Sequence, residues 1–272
     1  MTAAAPADRR VVVITGSSSG IGAEAAVQLG GRGWTVCLLA RRADELEVVA
    51  DRVRAAGGTA STHPVDLTDE AATQAVVDRI LTEHGHVDVL VNNAGRSIRR
   101  SISDSLDRLH DHERVMAINY LAAVRLTHAL LPSMLERGRG HVVFSSSLST
   151  QVPVPLFSAY LASKSALESY ARSLLAELGH RGITTTVVYF PMVRTEMSGA
   201  TSIYAAMPMM TSAKAGAWLV KATEERPSRV TSLGGAIGQA GMSVLPGVLT
   251  RVVTPQIRRM DKRLQRKVRK QE

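Results

Sequence analysis

The sequence predicts an α/β fold in which helices flank a doubly wound parallel sheet of about seven strands. Short apolar runs rich in β-branched residues alternate with longer amphipathic segments along the chain, which is the order of right-handed βαβ units. The apolar runs are continuous and do not alternate with polar residues, as expected of strands that are covered on both faces. The first run leads into a Gly-rich turn, which is a third sign of this fold class.

Seven strands are predicted, over residues 10–15, 34–40, 60–64, 87–91, 141–145, 184–190 and 229–231. The amphipathic segments between them are predicted to be helices. No internal repeat, linker or low-complexity segment precedes residue 232, so residues 9–232 are predicted to form a single domain. Residues 1–8 are predicted to be disordered, and residues 233–272 to be an apolar and then basic C-terminal extension.

The composition excludes several classes of protein. The 272 residues are 45% hydrophobic and 4% aromatic, which is typical of globular proteins and not of disordered ones. Residues 251–272 carry nine Lys or Arg and a net charge of +7, which leaves +2 of the total of +9 for the other 250 residues. The excess of basic over acidic residues therefore lies mainly in a C-terminal tail, and we expect no nucleic-acid-binding surface on the domain.

The only cysteine, Cys37, lies in an apolar run. We expect it to be a small buried hydrophobe, with no disulfide within the chain and no metal site, which fits a reducing cytoplasm. The first ten residues lack the basic and apolar regions of a signal peptide, and the uncharged stretch 233–250 is interrupted by five glycines and Pro246. We therefore expect a cytoplasmic protein without a membrane span.

The strand that ends at Thr15 runs into a Gly-rich turn and then an Ala-rich helix. Glycine permits a tight turn and a close backbone approach to a pyrophosphate, and the start of a helix offers unpaired N–H groups to its charge. The spacing is G-x-x-x-G-x-G, not the commoner G-x-G-x-x-G. A plain Gly-rich turn is the alternative, but its position after the first strand favours a Rossmann-type dinucleotide site. The predicted contacts are Gly16, Ser18, Ser19, Gly20, Ile21 and Gly22.

The end of the second strand, Ala40-Arg41-Arg42, predicts which dinucleotide binds. A carboxylate at this point usually binds the adenosine ribose of NAD, and Ala40 cannot do so. Arg41 and Arg42 instead offer forked donors to a 2′-phosphate, so we predict NADP(H) as the cofactor. The alternative is that both arginines are solvated residues at the start of a helix. Asp66, with Leu67 beside it at the end of the third strand, is predicted to meet the adenine edge or, equally, to cap a helix.

Three further motifs follow in order along the chain. Asn92-Asn93-Ala94-Gly95 comes after the fourth strand, Asn119 lies in the next long helix, and Tyr160-Leu161-Ala162-Ser163-Lys164 comes after the fifth strand. With the Gly-rich turn, they make residues 9–232 resemble the short-chain dehydrogenase/reductase family. A Tyr-x-x-x-Lys pattern alone occurs by chance, but four ordered motifs at this spacing are specific. The resemblance implies an NAD(P)-dependent oxidoreductase with cofactor contacts at Asn93, Ala94, Gly95, Tyr160, Lys164, Pro191, Val193 and Thr195.

Tyr160 and Lys164 are four residues apart on a predicted helix, so their side chains share one face. A free tyrosine has a pKa of about 10, and a nearby ammonium is expected to lower this pKa by stabilising the phenolate. By resemblance, Tyr160 protonates the reacting carbonyl oxygen, and Ser147, predicted over the neighbouring serines, hydrogen-bonds it. Lys164 is also implied to bind the nicotinamide ribose, and Asn119 to hold a water that relays protons to it.

The segment Pro191-Met192-Val193-Arg194-Thr195 follows the sixth strand. By resemblance, Val193 and Thr195 contact the nicotinamide carboxamide. Most members of the family have Pro-Gly at this point, whereas this sequence has Met192 in place of the glycine. This replacement bears on the local backbone geometry, and it does not weaken the resemblance to the family.

Several stretches narrow the substrate. Residues 92–100, 107–114, 116, 119–120, 157–160, 191–197, 204, 208, 226–229 and 233–234 carry a combination that is unusual for the wider family. They resemble the branch that contains bacterial long-chain fatty acyl-CoA reductases, which implies hydride transfer to a thioester carbonyl and release of a fatty aldehyde. Neighbouring branches act on ketones, hydroxy lipids and steroids, and these substrates are the alternative. A non-catalytic dinucleotide-binding protein is a third hypothesis.

Arg96, Arg99 and Arg100 are expected either to meet CoA phosphates or to form ion pairs with nearby acidic residues. Those acidic residues are Asp104, Asp107, Asp111 and Glu113. Residues 201–210, which hold three methionines and a tyrosine, occupy the place of the family's substrate lid. They suit a deformable apolar pocket, or else plain core packing.

The basic tail and the oligomeric state leave several possibilities open. Residues 254–271 can form a basic amphipathic helix, which would lie on an anionic membrane surface, pack on a partner subunit or remain a solvated tail. The resemblance also implies a homodimer or homotetramer through helices at about residues 107–131 and 158–180.

Overall fold

The structure is a computed structural model that describes residues 9–151, 154–199, 209–248, 250–252, 254–256 and 259. Seven strands form one parallel sheet in the order β3-β2-β1-β4-β5-β6-β7. This confirms the predicted fold class and its seven strands. The strands are β1 (Val11–Thr15), β2 (Thr35–Ala40), β3 (Thr59–Pro64), β4 (Val89–Asn92), β5 (Gly140–Ser147), β6 (Ile183–Phe190) and β7 (Arg229–Val230).

Helices cover both faces of the sheet, and each face has its own apolar core. The described helices are α1 (Gly20–Gly30), α2 (Ala43–Ala55), α3 (Glu70–His84), α4 (Leu109–Met116), α5 (Ala122–Glu136), α6 (Ser158–Leu178), α7 (Glu196–Gly199), α8 (Ser212–Glu225) and α9 (Leu233–Val244). One core joins the sheet to α1, α2 and α8, and the other joins it to α3, α5 and α6. The strand order reverses beside β1, so the carboxyl ends of β1 and β4 border the crevice in which such sheets bind ligands.

The edge strand β3 differs from the expectation of a continuously apolar, doubly covered strand. Its sequence is Thr-Ala-Ser-Thr-His-Pro, and of these six side chains only His63 is buried. It pairs with β2 alone, so one edge and part of a face meet solvent, where threonine and serine are stable in an extended backbone.

Strand β5 extends two residues beyond the predicted end at residue 145. Ser145, Ser146 and Ser147 continue the parallel register with β6, opposite Val188, Tyr189 and Phe190. Pairing of the backbone overrides the polar side chains here. The extension matters because Ser147 is held at the carboxyl end of a central strand.

Leu109–Glu136 forms one helical segment of 28 residues, in which a π-helix, Ala117–Leu121, joins α4 to α5. Its length and apolar composition alone would allow it to cross a membrane. However, it packs against α3 and α6, and Leu126 and Leu130 on its buried face belong to the core. Within the described ranges, α9 and the helix Pro246–Gln256 pass the same test only as a pair, and they are bent by 112°.

The C-terminal helix α9 packs on the short 3₁₀ helix Leu148–Gln151 that follows β5. Gly235 makes this contact so close that a Cβ there would lie 2.2 Å from Leu148 Cδ2. The opposite side of α9 is apolar and exposed: Leu233 is 80% exposed and Ile237 66%. The predictions for residues 1–8, for residues 201–208 of the lid and for most of the basic tail fall outside the described residues.

Candidate functional site

The Gly-rich turn between β1 and α1 forms a cradle with no room for side chains at two of its glycines. Gly16 has φ +64°, and a Cβ there would lie 2.8 Å from Ala94 Cα. A Cβ on Gly22 would lie 2.4 Å from Gly16 O. Ser19 precedes the first turn of α1 without a side-chain cap, so the first N–H groups of the helix stay available to an anion. The cradle fits the pyrophosphate of a dinucleotide.

Arg42 reaches over this cradle from the end of β2. Its Nη2 donates to the hydroxyls of Ser18 and Ser19, both at 3.2 Å. Two carboxylates also hold the guanidinium: Glu45 at 2.6 Å from Nη1 and Glu196 at 3.2 Å from Nη2. Arg42 therefore is not simply solvated, and its contact with a 2′-phosphate stays a prediction.

Asn93 ties the loop after β4 to the cradle. Its Nδ2 donates to Thr15 O at 3.1 Å and to Gly16 O at 3.3 Å, and its Oδ1 accepts from Ser145 Oγ at 3.3 Å. The Thr15 hydroxyl accepts from the backbone N–H groups of Asn93 and Ala94, both at 2.9 Å. The sequence reasoning did not single out Thr15, and its position directly before Gly16 was the available signal.

Asp66 does not cap a helix, which corrects one of its two predicted roles. Its carboxylate accepts from the backbone and side chain of Thr68 at 2.9 and 2.7 Å, and these hydrogen bonds lower the pKa of Asp66. Asp69 caps α3 instead, since it accepts from Ala72 N at 2.9 Å. Asp66 is exposed and Leu67 is buried, and their contact with an adenine stays a prediction.

Tyr160, Lys164 and Ser147 converge beside the cradle. The first two lie one turn apart on α6, and Lys164 Nζ is 6.0 Å from the centroid of the Tyr160 ring. Lys164 is 4% exposed and donates to Ser145 O at 2.8 Å. Ser147 lies close enough to Tyr160 for its side chain to lower the pKa of the Tyr160 hydroxyl. The other two candidate serines are engaged differently: Ser146 Oγ donates to a carboxylate of α6, and Ser149 contributes its backbone N–H to Ser147 Oγ at 3.2 Å.

Burial sets the protonation of the pair. It raises the pKa of Tyr160 to about 12, although the side chain of Ser147 opposes this, and it lowers the pKa of Lys164 to about 8. The expectation that the pKa of Tyr160 is lowered is not met in this arrangement, because loss of hydration raises this pKa and the Lys164 ammonium donates its hydrogen bond to Ser145 O. A tyrosine that is protonated at neutral pH is suited to donate a proton.

Asn119 lies in the π-helix and is 1% exposed. Its Nδ2 donates to Arg96 O and to Ser163 Oγ, both at 2.9 Å, and its Oδ1 accepts from Arg96 N at 2.7 Å. Asn119 thus connects the loop after β4 to α6 between Tyr160 and Lys164. Both amide donors are engaged, so the predicted water, which stays a prediction, would have to find another group of this residue.

The segment after β6 lies across the cradle. Thr195 Cγ2 is the atom closest to a Cβ built on Gly20, at 3.2 Å. Met192 O accepts from Met210 N, and Arg194 N donates to Met210 O, both at 2.9 Å. Met192, which replaces the family's glycine, therefore contributes a regular backbone pairing, and the contact of Pro191, Val193 and Thr195 with a nicotinamide stays a prediction.

Arg100 forms the ion pair that was one of its two predicted roles. Its Nε and that of Arg108 both lie 3.1 Å from Asp111 Oδ2, and the Arg108 contact is the main reason that the pKa of Asp111 is lowered. Arg100 N also donates to Leu156 O at 2.7 Å. Leu156 has φ +76°, a left-handed conformation that costs a non-glycine residue about 1–3 kcal/mol. The loop after β4 is thereby fastened to the segment that leads into Tyr160.

Cys37 is not a second reactive centre. The thiol is buried, and burial raises its pKa to about 12, so it stays protonated and inert. Among the described residues, no group of three or more His, Cys, Asp or Glu could hold a metal ion.

Comparisons with known proteins match this geometry. A family model described as short chain dehydrogenase matches residues 10–204. The chain is 44% identical over 220 residues to a fatty acyl-CoA reductase of Mycobacterium tuberculosis, covering 80% of this chain and 75% of that protein. It is 41% identical over 239 residues to a fatty acyl-CoA reductase of Acinetobacter baylyi, covering 88% and 81%. A crystal structure of a short-chain dehydrogenase from Streptomyces avermitilis superposes with a TM-score of 0.76 at 30% identity and covers 92% of this chain and 98% of that chain.

Proposed function

Because this chain belongs to the short-chain dehydrogenase family, and is an oxidoreductase of that family, we propose that it uses NADPH to reduce a long-chain acyl-CoA thioester to a fatty aldehyde. The observation that carries the reduction is the arrangement of Tyr160 beside Ser147 and Lys164, in which burial raises the pKa of the Tyr160 hydroxyl to about 12. The substrate is proposed from the relatives named fatty acyl-CoA reductase.

NADPH is proposed over NADH because of the charge at the cradle. The Gly-rich turn fits the pyrophosphate, and Arg42 lies beside Ser18 and Ser19 with its guanidinium turned toward the turn. Arg41 is exposed next to it and its charge helps to lower the pKa of Asp66. Forked guanidinium donors fit a phosphate dianion better than a ribose hydroxyl.

The chain's own groups account for the proton movements of this reduction. The bound cofactor supplies the hydride. Ser147 orients the carbonyl oxygen, and Tyr160 protonates it as the hydride bonds to carbon, which yields a hemithioacetal. Tyr160 then takes the hydroxyl proton back, the C–S bond breaks, and the CoA thiolate leaves and is protonated by solvent. One hydride and one proton are consumed for each aldehyde and thiol formed.

Palmitoyl-CoA is expected to be reduced with release of one thiol for each NADPH oxidised. The assay follows the absorbance of NADPH and a thiol reagent in parallel, with a panel of ketones, hydroxy lipids and steroids as comparison. Turnover of ketones or steroids without thiol release would replace the acyl-CoA proposal with the alternative reaction. Binding of NADPH without turnover of any carbonyl would contradict an enzymatic role.

We further propose that the C-terminal extension contacts an anionic membrane surface. The exposed side chains Leu233, Ile237 and Val244 give α9 an apolar outer face, and residues 251–272 add a net charge of +7. Together these are the two attractions that hold a protein at an anionic bilayer. Because α9 packs on the turn after Ser147, this contact would bring the site close to a lipid substrate.

Truncation to residues 1–250 is expected to abolish co-sedimentation with vesicles that contain phosphatidylserine, while the full-length protein pellets with them. Binding should weaken in high salt because salt screens the basic residues. Equal pelleting of both proteins would contradict the membrane proposal. A smaller number of subunits in the truncated protein, measured by light scattering, would instead assign the tail to a partner subunit.

We also propose a homodimer or homotetramer that forms through the long helices beside the site. Leu121, between α4 and α5, and Leu175, on α6, are 42% and 37% exposed. Apolar side chains on two neighbouring helices are suited to packing against a second copy.

A further inference from the structure

Glu168 is a buried acidic residue that the sequence analysis did not single out. It lies on α6, one turn after Lys164 and two turns after Tyr160, and it is 8% exposed. A buried carboxylate is costly unless hydrogen bonds or charges compensate for its lost hydration. Its compensation here comes from groups next to the proposed active site.

Three hydroxyls from three other segments donate to this carboxylate. Ser146 Oγ, at the end of β5, lies 2.5 Å from Oε1, and Thr150 Oγ1, in the turn that follows, lies 2.7 Å from the same atom. Tyr189 Oη, on β6, lies 3.3 Å from Oε2. Glu168 therefore joins α6 to two adjacent strand ends.

The two closer donors flank Ser147. The Thr150 hydroxyl is also within 2.8 Å of Ser147 O, and Ser149 N donates to Ser147 Oγ at 3.2 Å. The turn that carries Ser147 is thus held from both sides by one carboxylate. Loss of these hydrogen bonds would loosen Ser147 relative to Tyr160, which sits on the same helix as Glu168.

The charge of Glu168 also acts on the neighbouring residues. Burial lowers the pKa of Lys164 and raises that of Tyr160, and the nearby carboxylate raises both. The other titratable or charged groups at this carboxylate are Tyr189 from β6 and, beyond it, Arg229 from β7, whose guanidinium lies 4.7 Å from the centroid of the Tyr189 ring. Ser146, at the end of β5, and Thr150, in the turn that follows, contribute uncharged hydroxyls. Glu168 is therefore the negative charge that favours the ammonium form of Lys164.

We propose that Glu168 is a positioning residue for the reduction: it holds Ser147 against the Tyr160 hydroxyl, and it keeps Lys164 charged. Its carboxylate is bound by Ser146, Thr150 and Tyr189, so it acts on the reaction through these neighbours. The inference rests on the proposed function only in requiring that the site reduces some carbonyl.

Glu168→Gln tests both parts, because it keeps the shape of the side chain and removes its charge. In the pH profile of kcat, the fall at alkaline pH is assigned to loss of the Lys164 proton. This alkaline limb is expected to move to a pH about one unit lower. The limb moves to lower pH because the ammonium form of Lys164 is the active form, and the substitution removes the carboxylate that stabilises it. At pH 6, where Lys164 is charged in both proteins, kcat is expected to fall about tenfold, less than the roughly 100-fold cost of a 1 Å misplacement.

Two matched variants separate charge from position. Glu168→Asp keeps the charge with a shorter reach, so the alkaline limb should return to the wild-type position while kcat at pH 6 stays low. Tyr189→Phe removes the most distant donor and leaves the carboxylate, so it should leave the limb in place. A uniform loss in Glu168→Gln at every pH, with an unmoved limb, would reduce Glu168 to a structural residue and overturn the charge part; wild-type kinetics would overturn both parts.

If Glu168→Gln does not fold, Thr150→Val carries the test of position. It is expected to lower kcat at every pH without moving the alkaline limb, and an unchanged kcat would overturn the proposal. Should the wild-type protein reduce no carbonyl, the proposed function fails by itself. The pH dependence of NADPH binding, measured by nicotinamide fluorescence in wild type and Glu168→Gln, still reports the ionisation of Lys164: a shift supports the charge effect and its absence overturns it.

Discussion

Replacing Tyr160 by Phe is expected to lower kcat by about 10²–10⁴-fold, the range over which a positioned acid accelerates proton transfer. The substitution removes one oxygen from α6 and keeps the ring. At neutral pH the Tyr160 hydroxyl is fully protonated, because burial raises its pKa to about 12. Without it, no group held against Ser147 donates a proton to the developing alkoxide. Affinity for NADPH, measured by fluorescence titration, should fall much less than kcat, since the cradle and Arg42 are untouched and only the contact of the Tyr160 hydroxyl is lost.

Tyr170→Phe is the matched control for this experiment. Tyr170 lies on the same helix, and burial also raises the pKa of its hydroxyl to about 12, but it packs against Tyr120 and Phe144 away from Ser147. Its replacement should leave kcat close to the wild-type value. If Tyr160→Phe kept more than about a tenth of wild-type kcat, Tyr160 would not be the proton donor.

The cofactor preference is expected to depend on Arg42. Arg42→Ala should lower kcat/KM for NADPH about 10–100-fold and change the value for NADH less than about threefold. A hydrogen bond to a charged group contributes about 1.5–3 kcal/mol, and each 1.4 kcal/mol corresponds to about tenfold. Arg42 precedes the first turn of α2 without a side-chain cap, so its loss should not unravel that helix. The measurement is steady-state kinetics with each cofactor at saturating carbonyl substrate.

Arg52→Ala provides the control for charge alone. Arg52 lies on α2, is 45% exposed against 49% for Arg42, and binds Glu24 at 2.7 Å. Both variants remove one positive charge, but only Arg42 reaches Ser18 and Ser19 in the cradle. An equal fall with both cofactors in Arg42→Ala, or the same selectivity change in Arg52→Ala, would refute a role for Arg42 in binding the 2′-phosphate.

The order of the elements and the type of chemistry were readable from the sequence. Apolar runs separated by amphipathic segments placed the central strands within a few residues, because strands covered on both faces must be apolar along their whole length, whereas the edge strand β3 is mostly polar. The Gly-rich turn and the Tyr160–Lys164 spacing are local patterns, since the backbone conformation and the helical turn that they require involve adjacent residues only. The family and the oxidoreductase class followed from those patterns.

Such local sequence patterns do not predict interactions between segments that are distant in the chain. Ser146 and Ser147 extend β5 because β6 pairs with them, and Asp69 caps α3 in place of Asp66 because α3 begins at Glu70. Hydration likewise depends on the complete fold. The pKa of Tyr160 is raised and not lowered, because the folded chain removes the hydration that would stabilise a phenolate.

The sequence by itself therefore determined the fold class, the cofactor cradle and the identity of Tyr160, Lys164 and Ser147 as the candidate catalytic residues. Only the tertiary structure decided how these residues are held and charged: Asn119 bound to Arg96 and Ser163, and Glu168 bound to the turn around Ser147. The physical reason is that local spacing fixes which side chains share a face, whereas burial and hydrogen bonding depend on segments that are far apart in the chain.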